Sequence, residues 1–111
     1  MWDGKQKAVT FSYDDGVCQD RRLVDMFNYY HVKATFNINS GMQTYASHYD
    51  FGNVRVHHMN AEGLKELYKG HEIAVHTLTH QDLTKLDKDT VYNEVFLDKQ
   101  NLERMFDCQI T

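Results

Sequence analysis

Apolar residues along this chain recur at two spacings, and the changes between them mark out its elements. Lys7–Tyr13 (KAVTFSY) is apolar and β-rich enough for a buried strand, which Asp14-Asp15-Gly16 stops. Leu23, Met26, Phe27 and Tyr30 follow at helical spacing, so a helix is expected at about 20–30, capped by Asp20. Its methionine and aromatic stripe reads as core packing. Ala34–Asn39 (ATFNIN) alternates strictly, with Ala34, Phe36 and Ile38 on one face, and predicts a second strand. Residues 40–59 keep neither period and read as a long loop. That loop carries Tyr45, His48, Tyr49, Phe51, His57 and His58, side chains suited to lining a cleft.

Further on, Asn60 can cap a helix with Leu64, Leu67 and Tyr68 on one side and Gly70 as its stop. Ile73-Ala74-Val75 anchors a third strand at about 72–76. Polar residues run on to Leu86. Asp87 or Asp89 then opens a long helix carrying Val91, Val95, Leu102, Met105 and Phe106 among Glu and Lys. Strand and helix thus alternate three times, the pattern of an α/β fold built from parallel β/α units with right-handed crossovers. In such folds the carboxyl ends of the strands share one edge, where ligand sites are built. Asp14-Asp15 ends the first strand and His76 the third, so the two are expected side by side although far apart in sequence.

A length of 111 residues allows one domain or part of one. Net charge is −4 and the twelve Lys and Arg residues form no basic stripe, which argues against a nucleic-acid partner. No apolar segment approaches the length of a membrane span, and Met1–Lys5 lacks the apolar core of a signal peptide. Cys18 and Cys108 belong to no CxxC pair, so a thiolate metal site is not expected. They are also expected to stay unbridged. Cys18 follows the first strand on the carboxyl edge, whereas Cys108 follows a helix that runs back to the opposite edge.

The densest chemistry lies in Gly70–His80 (GHEIAVHTLTH), where His76 and His80 are separated by three residues. Neutral imidazoles at that spacing can close on one divalent ion, and β-branched Ile73 and Val75 favour delivery of His76 from a strand end. With one Asp of the Asp14-Asp15 pair they make a 2-His-1-carboxylate set, which leaves positions open for water and substrate. The other Asp could take a proton from the attacking water. Taken alone, Asp-Asp-Gly reads as a turn. His71 is expected to pack or bond locally. His57 and His58 are expected to be solvated, unless the loop folds over the site and makes them ligands.

These residues resemble those of the polysaccharide deacetylases, the family-four carbohydrate esterases related to the chitooligosaccharide deacetylases. Ser12-Tyr13-Asp14-Asp15-Gly16-Val17 is similar to that family's first motif, Thr-Phe-Asp-Asp-Gly-Pro. Gly70–His80 is similar to its second, His-Ser/Thr-x-x-His preceded by Gly-His-Glu-Ile. Ala34–Asn39 resembles the family's second strand and Asp89–Phe106 its helix after the second motif, so the resemblance covers nearly the whole chain. It implies Asp14 as general base and Asp15, His76 and His80 as metal ligands. Zinc is the expected ion, with cobalt or a similar divalent ion as the alternative. The implied reaction is hydrolysis of N- or O-acetyl groups on a glycan that is chitin-like, peptidoglycan or another acetylated polymer. The implied fold is the N-terminal half of a deformed (β/α) barrel, and the implied location is the cell envelope or outside the cell, with the cytoplasm left open.

Two departures matter. Val17 replaces the motif's proline, and the chain has neither a proline nor any histidine after His80. It therefore contains neither the family's Arg-x-Pro third motif, which helps form the oxyanion hole, nor the late Leu-x-His segment that supplies the acid. Residues 1–111 are thus expected to form an incomplete polysaccharide deacetylase-like domain that binds metal, hydrolyses poorly by itself and associates with another copy or a missing C-terminal half. A non-catalytic domain that holds a metal and only binds glycan is the alternative.

Overall fold

The computed structural model describes residues 2–111. Its elements run β1 (Ser12–Asp14), α1 (Asp20–Tyr29), β2 (Thr35–Ile38), β3 (His48–Phe51), β4 (Val54–His57), α2 (Leu64–Leu67), β5 (Glu72–Val75) and α3 (Lys88–Phe106). β1, β2 and β5 form one parallel sheet in the order β1-β2-β5, and β3 and β4 form a separate antiparallel hairpin. The parallel α/β class and the three β/α units are as the alternation of periods predicts.

The central strand supplies the middle of the core. Phe36 and Ile38 of β2 are fully buried, and Val24 and Phe27 of α1, Leu64 and Tyr68 around α2, and Leu102 and Phe106 of α3 are buried with them. The rings of Phe36 and Tyr68 lie 4.5 Å apart between centroids. Burial of one such side chain contributes roughly 1.5–3 kcal/mol, so this cluster fixes how the helices sit on the sheet.

Several elements differ from their expected extents, each for a physical reason. The first strand is short and exposed rather than a buried run over 7–13, because β1 is an edge strand paired only with β2. In α1 the buried residues are Asp20, Val24 and Phe27, while Met26 and Tyr30 are exposed, so the core stripe is rotated from the one expected. Asp20 is the first helical residue rather than the cap; its buried carboxylate accepts a 2.6 Å hydrogen bond from the Tyr68 hydroxyl. α2 is a single turn beginning after Gly63, whose φ of +86° only glycine adopts readily. Asn60 does not cap it; its Oδ1 accepts from Tyr45 N instead, at 2.8 Å.

The stretch 40–59 is no structureless loop. β3 and β4 pair from His48↔His57 to Phe51↔Val54 around a two-residue Gly52-Asn53 turn, with Gly52 at φ +61°. Asp87 caps α3, its carboxylate accepting from Thr90 N at 3.0 Å. The buried face of α3 is Glu94, Asp98, Leu102 and Phe106, whereas Val95 lies on the exposed side. Both cysteines are free, as the opposite-edge argument expects. No helix among the described residues is long and apolar enough to cross a membrane.

Asp20 makes stability depend on pH. Burial, foremost, and the nearby Asp15 charge raise its pKa from 3.8 to about 6, against the lowering effect of the Tyr68 hydrogen bond. Between those values the folded chain holds a proton that the unfolded chain releases. The contribution is therefore present below pH ~4 and is lost as pH rises through about 6, a difference of roughly 3 kcal/mol. Asp20→Asn keeps an acceptor for Tyr68 and should remove most of this fall. Denaturant titrations of parent and variant at pH 4.5 and pH 7 check it; parallel behaviour of the two would refute it.

Candidate functional site

β1 and β5 flank β2 in register, with Asp14 opposite Asn37 and Asn37 opposite Ala74. Asp15 and His76 are the residues immediately beyond β1 and β5, at the same edge of the sheet. The Asp-Asp-Gly turn holds Asp15 and Gly16 in the left-handed region, at φ +78° and +67°. Asp15 N donates to Asn37 O at 2.9 Å, and Gln43 Nε2 donates to Asp15 O at 2.8 Å. The backbone angle of Gly16 favours glycine, and a Cβ there would meet Gln43 Oε1 at 2.8 Å, so the Gln43 side chain would have to move.

Beyond His76 the chain turns sharply. Thr77 has φ +69° and His80 φ +56°. A β-branched residue there is uncommon and costs about 1–3 kcal/mol, so surrounding contacts must impose the conformation. Some come from Asn39, fully buried just after β2, whose Nδ2 donates to the carbonyls of His76 and Thr77.

Three ligand atoms converge as a result. His76 Nε2 and His80 Nε2 each lie 3.4 Å from Asp15 Oδ1, and one ligand atom from each of the three residues lies within 4.8 Å of the others. Asp15 Oδ1 is buried and accepts no hydrogen bond. A buried carboxylate oxygen with no donor is unfavourable, and a cation is one partner that would satisfy it. One carboxylate oxygen and two imidazole nitrogens in this span fit a divalent ion of the zinc class.

Asp14 is placed differently. It is exposed and stands outside this cradle. Its Oδ1 accepts from Asn37 Nδ2 at 2.8 Å, and the same amide reaches Ser12 Oγ at 2.8 Å and Tyr13 O at 3.2 Å. Two neighbouring carboxylates therefore have distinct surroundings, one turned to the histidines and one oriented by an amide.

A cavity of about 340 Å³ opens on the cradle, lined by Asp15 and His80 with His48, Tyr49 and His58. Burial and the Asp15 charge raise the pKa of the Tyr49 phenol above its ordinary value. His58 is buried rather than solvated, and its Nδ1 has no hydrogen-bond partner. His57 stacks on Tyr45 at 4.2 Å, with its Nδ1 2.8 Å from Tyr45 O. Neither joins the cradle. His71 bonds locally as expected: its Nδ1 accepts from Ala34 N at 3.2 Å and its Nε2 faces Asn28 Oδ1 at 2.9 Å. Burial, chiefly, holds its pKa below the usual imidazole value.

The fold thus brings together Asp15, His76 and His80 and sets Asp14 beside them. Asn37, Asn39 and Gln43 hydrogen-bond to the segments that carry these residues, and periodicity does not reveal them. The only sequence signal is polarity at strand-end positions, which also describes ordinary solvated residues.

A family model described as polysaccharide deacetylase matches residues 3–111. A bifunctional xylanase/deacetylase of Pseudobutyrivibrio xylanivorans is 27% identical over 96 residues, covering 81% of this chain and 13% of that protein. Among solved structures, the deacetylase PplD of Streptococcus pyogenes, in complex with acetate, has a TM-score of 0.78 at 21% identity. The match covers 96% of this chain and 45% of PplD. The peptidoglycan deacetylase PdaC of Bacillus subtilis has a TM-score of 0.69 at 22% identity, over 96% of this chain and 48% of its own. The chain therefore spans about half the length of these solved relatives and shares the fold of that half, which belongs to a (β/α) barrel.

Proposed function

Because the chain belongs to the polysaccharide deacetylase family, we propose that it removes acetyl groups from a carbohydrate polymer, with Asp15, His76 and His80 holding a divalent ion and Asp14 as general base. The observation that carries this reading is the contrast between the two adjacent carboxylates. Asp15 Oδ1 is buried, undonated and 3.4 Å from two imidazole nitrogens, as a ligand should be. Asp14 is exposed and held by Asn37, as a base should be. Paired titratable groups in unlike environments are the usual mark of divided roles.

An ion in this cradle would supply Lewis-acid polarisation of the acetyl carbonyl and stabilise charge that develops on its oxygen. The chain's own residues do the rest. Asn37 fixes Asp14 through Oδ1, leaving the second oxygen to accept a proton from the attacking water. A volume of about 340 Å³ suits an acetamido group with part of its sugar ring, and His48 and Tyr49 offer polar contacts at its wall. The leaving amine needs a proton, and of the histidines outside the cradle His48 and His58 line the cavity.

PdaC is a peptidoglycan deacetylase, which favours an N-acetylated envelope glycan as substrate and the envelope or cell exterior as location. The test is acetate release from N-acetylglucosamine oligomers by the longest product of the gene containing residues 1–111. Chelator treatment should lower release by ~10²-fold or more, and zinc should restore it. Release indifferent to chelation would refute the metal-assisted reading.

A further inference from the structure

We propose that Asp98, seconded by Glu94 one turn earlier, is the positioning residue of the histidine turn. It touches none of the cradle's ligand atoms yet holds the backbone that aims them. The proposal rests on the reading of Asp15, His76 and His80 as a metal site.

Asp98 is fully buried, and each of its oxygens has a backbone donor. Oδ2 accepts from His76 N at 2.9 Å, and Oδ1 accepts from Ser40 N at 2.7 Å. One carboxylate therefore ties the end of β5 to the end of β2. Glu94 is 5% exposed and grips the other half of the turn. Its Oε2 accepts from Thr79 N at 2.9 Å and its Oε1 from Thr79 Oγ1 at 2.8 Å. Its backbone carbonyl also accepts from Leu78 N at 2.9 Å. Neither acid takes part in an ion pair among the described residues.

Two buried carboxylates without cations are an unfavourable way to fill a helix face unless their acceptors are needed. The same stripe of α3 is completed by apolar Leu102 and Phe106 one and two turns on, so the change to acid occurs where the helix meets the turn. What the turn needs there is acceptors. Thr77 sits at φ +69° and His80 at φ +56°, and the clamped N–H groups of His76 and Thr79 bracket Thr77. Asn39 binds the carbonyls of His76 and Thr77, the two carboxylates bind the amides of His76 and Thr79, and the Glu94 backbone carbonyl binds that of Leu78. A turn fixed from both sides holds its two imidazoles at one separation, which is what preorganises a metal site.

The experiment is zinc affinity of the 111-residue chain, by competition with a chromophoric chelator well below the melting temperature. It is paired with the visible spectrum of the cobalt form. Asp98→Asn keeps the volume but turns an N–H₂ toward a backbone N–H. It should weaken zinc binding about ten- to hundred-fold and alter the cobalt spectrum. Leu102→Ala, on the same helix face but away from the turn, should lower the melting temperature at least as much while leaving affinity and spectrum as in the parent. If Asp98→Asn does not fold, Glu94→Gln carries the same expectation. A folded variant with parental affinity and spectrum overturns the proposal, as does loss of affinity in Leu102→Ala matching its loss of stability. A parent that binds no zinc instead refutes the metal reading itself, and so the two failures are distinguishable.

Discussion

Replacing either His76 or His80 with alanine should lower the zinc affinity of the chain by roughly 10²–10³-fold. Structural zinc sites with four ligands bind with about 10–16 kcal/mol, or ~2.5–4 kcal/mol for each ligand, and each histidine would supply one ligand in the proposed site. The fold should survive both changes. The His76 side chain is 29% exposed and that of His80 54%, and neither belongs to the core cluster. Parent and variants should therefore melt together in the presence of chelator, while zinc should raise the melting temperature of the parent alone. Elemental analysis after dialysis, with chelator competition for the affinity, makes the comparison. Either variant retaining the parent's zinc would remove that histidine from the site.

The cradle is legible in the sequence because its parts sit where strand ends and turn residues coincide. Ile73 and Val75 mark a strand, His76 follows it directly, and Asp14-Asp15-Gly16 stops another strand; parallel topology then brings the two ends together. The hairpin is hidden for an equally physical reason. All four residues of β3 are exposed, so no buried face imposes a period of two on its apolar positions. What specifies the hairpin is the Gly52-Asn53 turn and a cross-strand Asp50–Arg55 contact at 3.0 Å, signals independent of hydrophobicity.

The long helix shows the converse. Tyr92, Val95, Phe96 and Leu97 are between 39% and 60% exposed, while Glu94 and Asp98 face inward. Reading apolar positions as the buried face misplaces Val95, because the histidine turn requires hydrogen-bond acceptors from this part of α3. The helix expected after Asn60 is too long for a related reason. Gly63 starts α2 at φ +86° and Asn60 is occupied by Tyr45, so a cap candidate is taken by a contact 15 residues away in sequence. Polar residues in structural service are the ones that periodicity assigns to solvent.

Asp14→Asn should slow acetate release by ~10²–10⁴-fold while leaving zinc content and affinity as in the parent, measured on the longest product of the gene containing residues 1–111. The range is what a positioned general base contributes, and asparagine removes the basic oxygen with almost no change of shape. The amide oxygen of the substituted side chain can still accept from Asn37, so the turn that presents Asp15 should be undisturbed. Zinc affinity should hold because Asp14 is not among the three residues whose ligand atoms converge. The two readouts separate three roles. Loss of activity with zinc retained is the mark of a base. Loss of zinc as well would make Asp14 a ligand and dissolve the distinction between the two carboxylates. Retention of both would mean that another group takes the proton; among the side chains lining the cavity, His48 and His58 would be the first to exchange for glutamine.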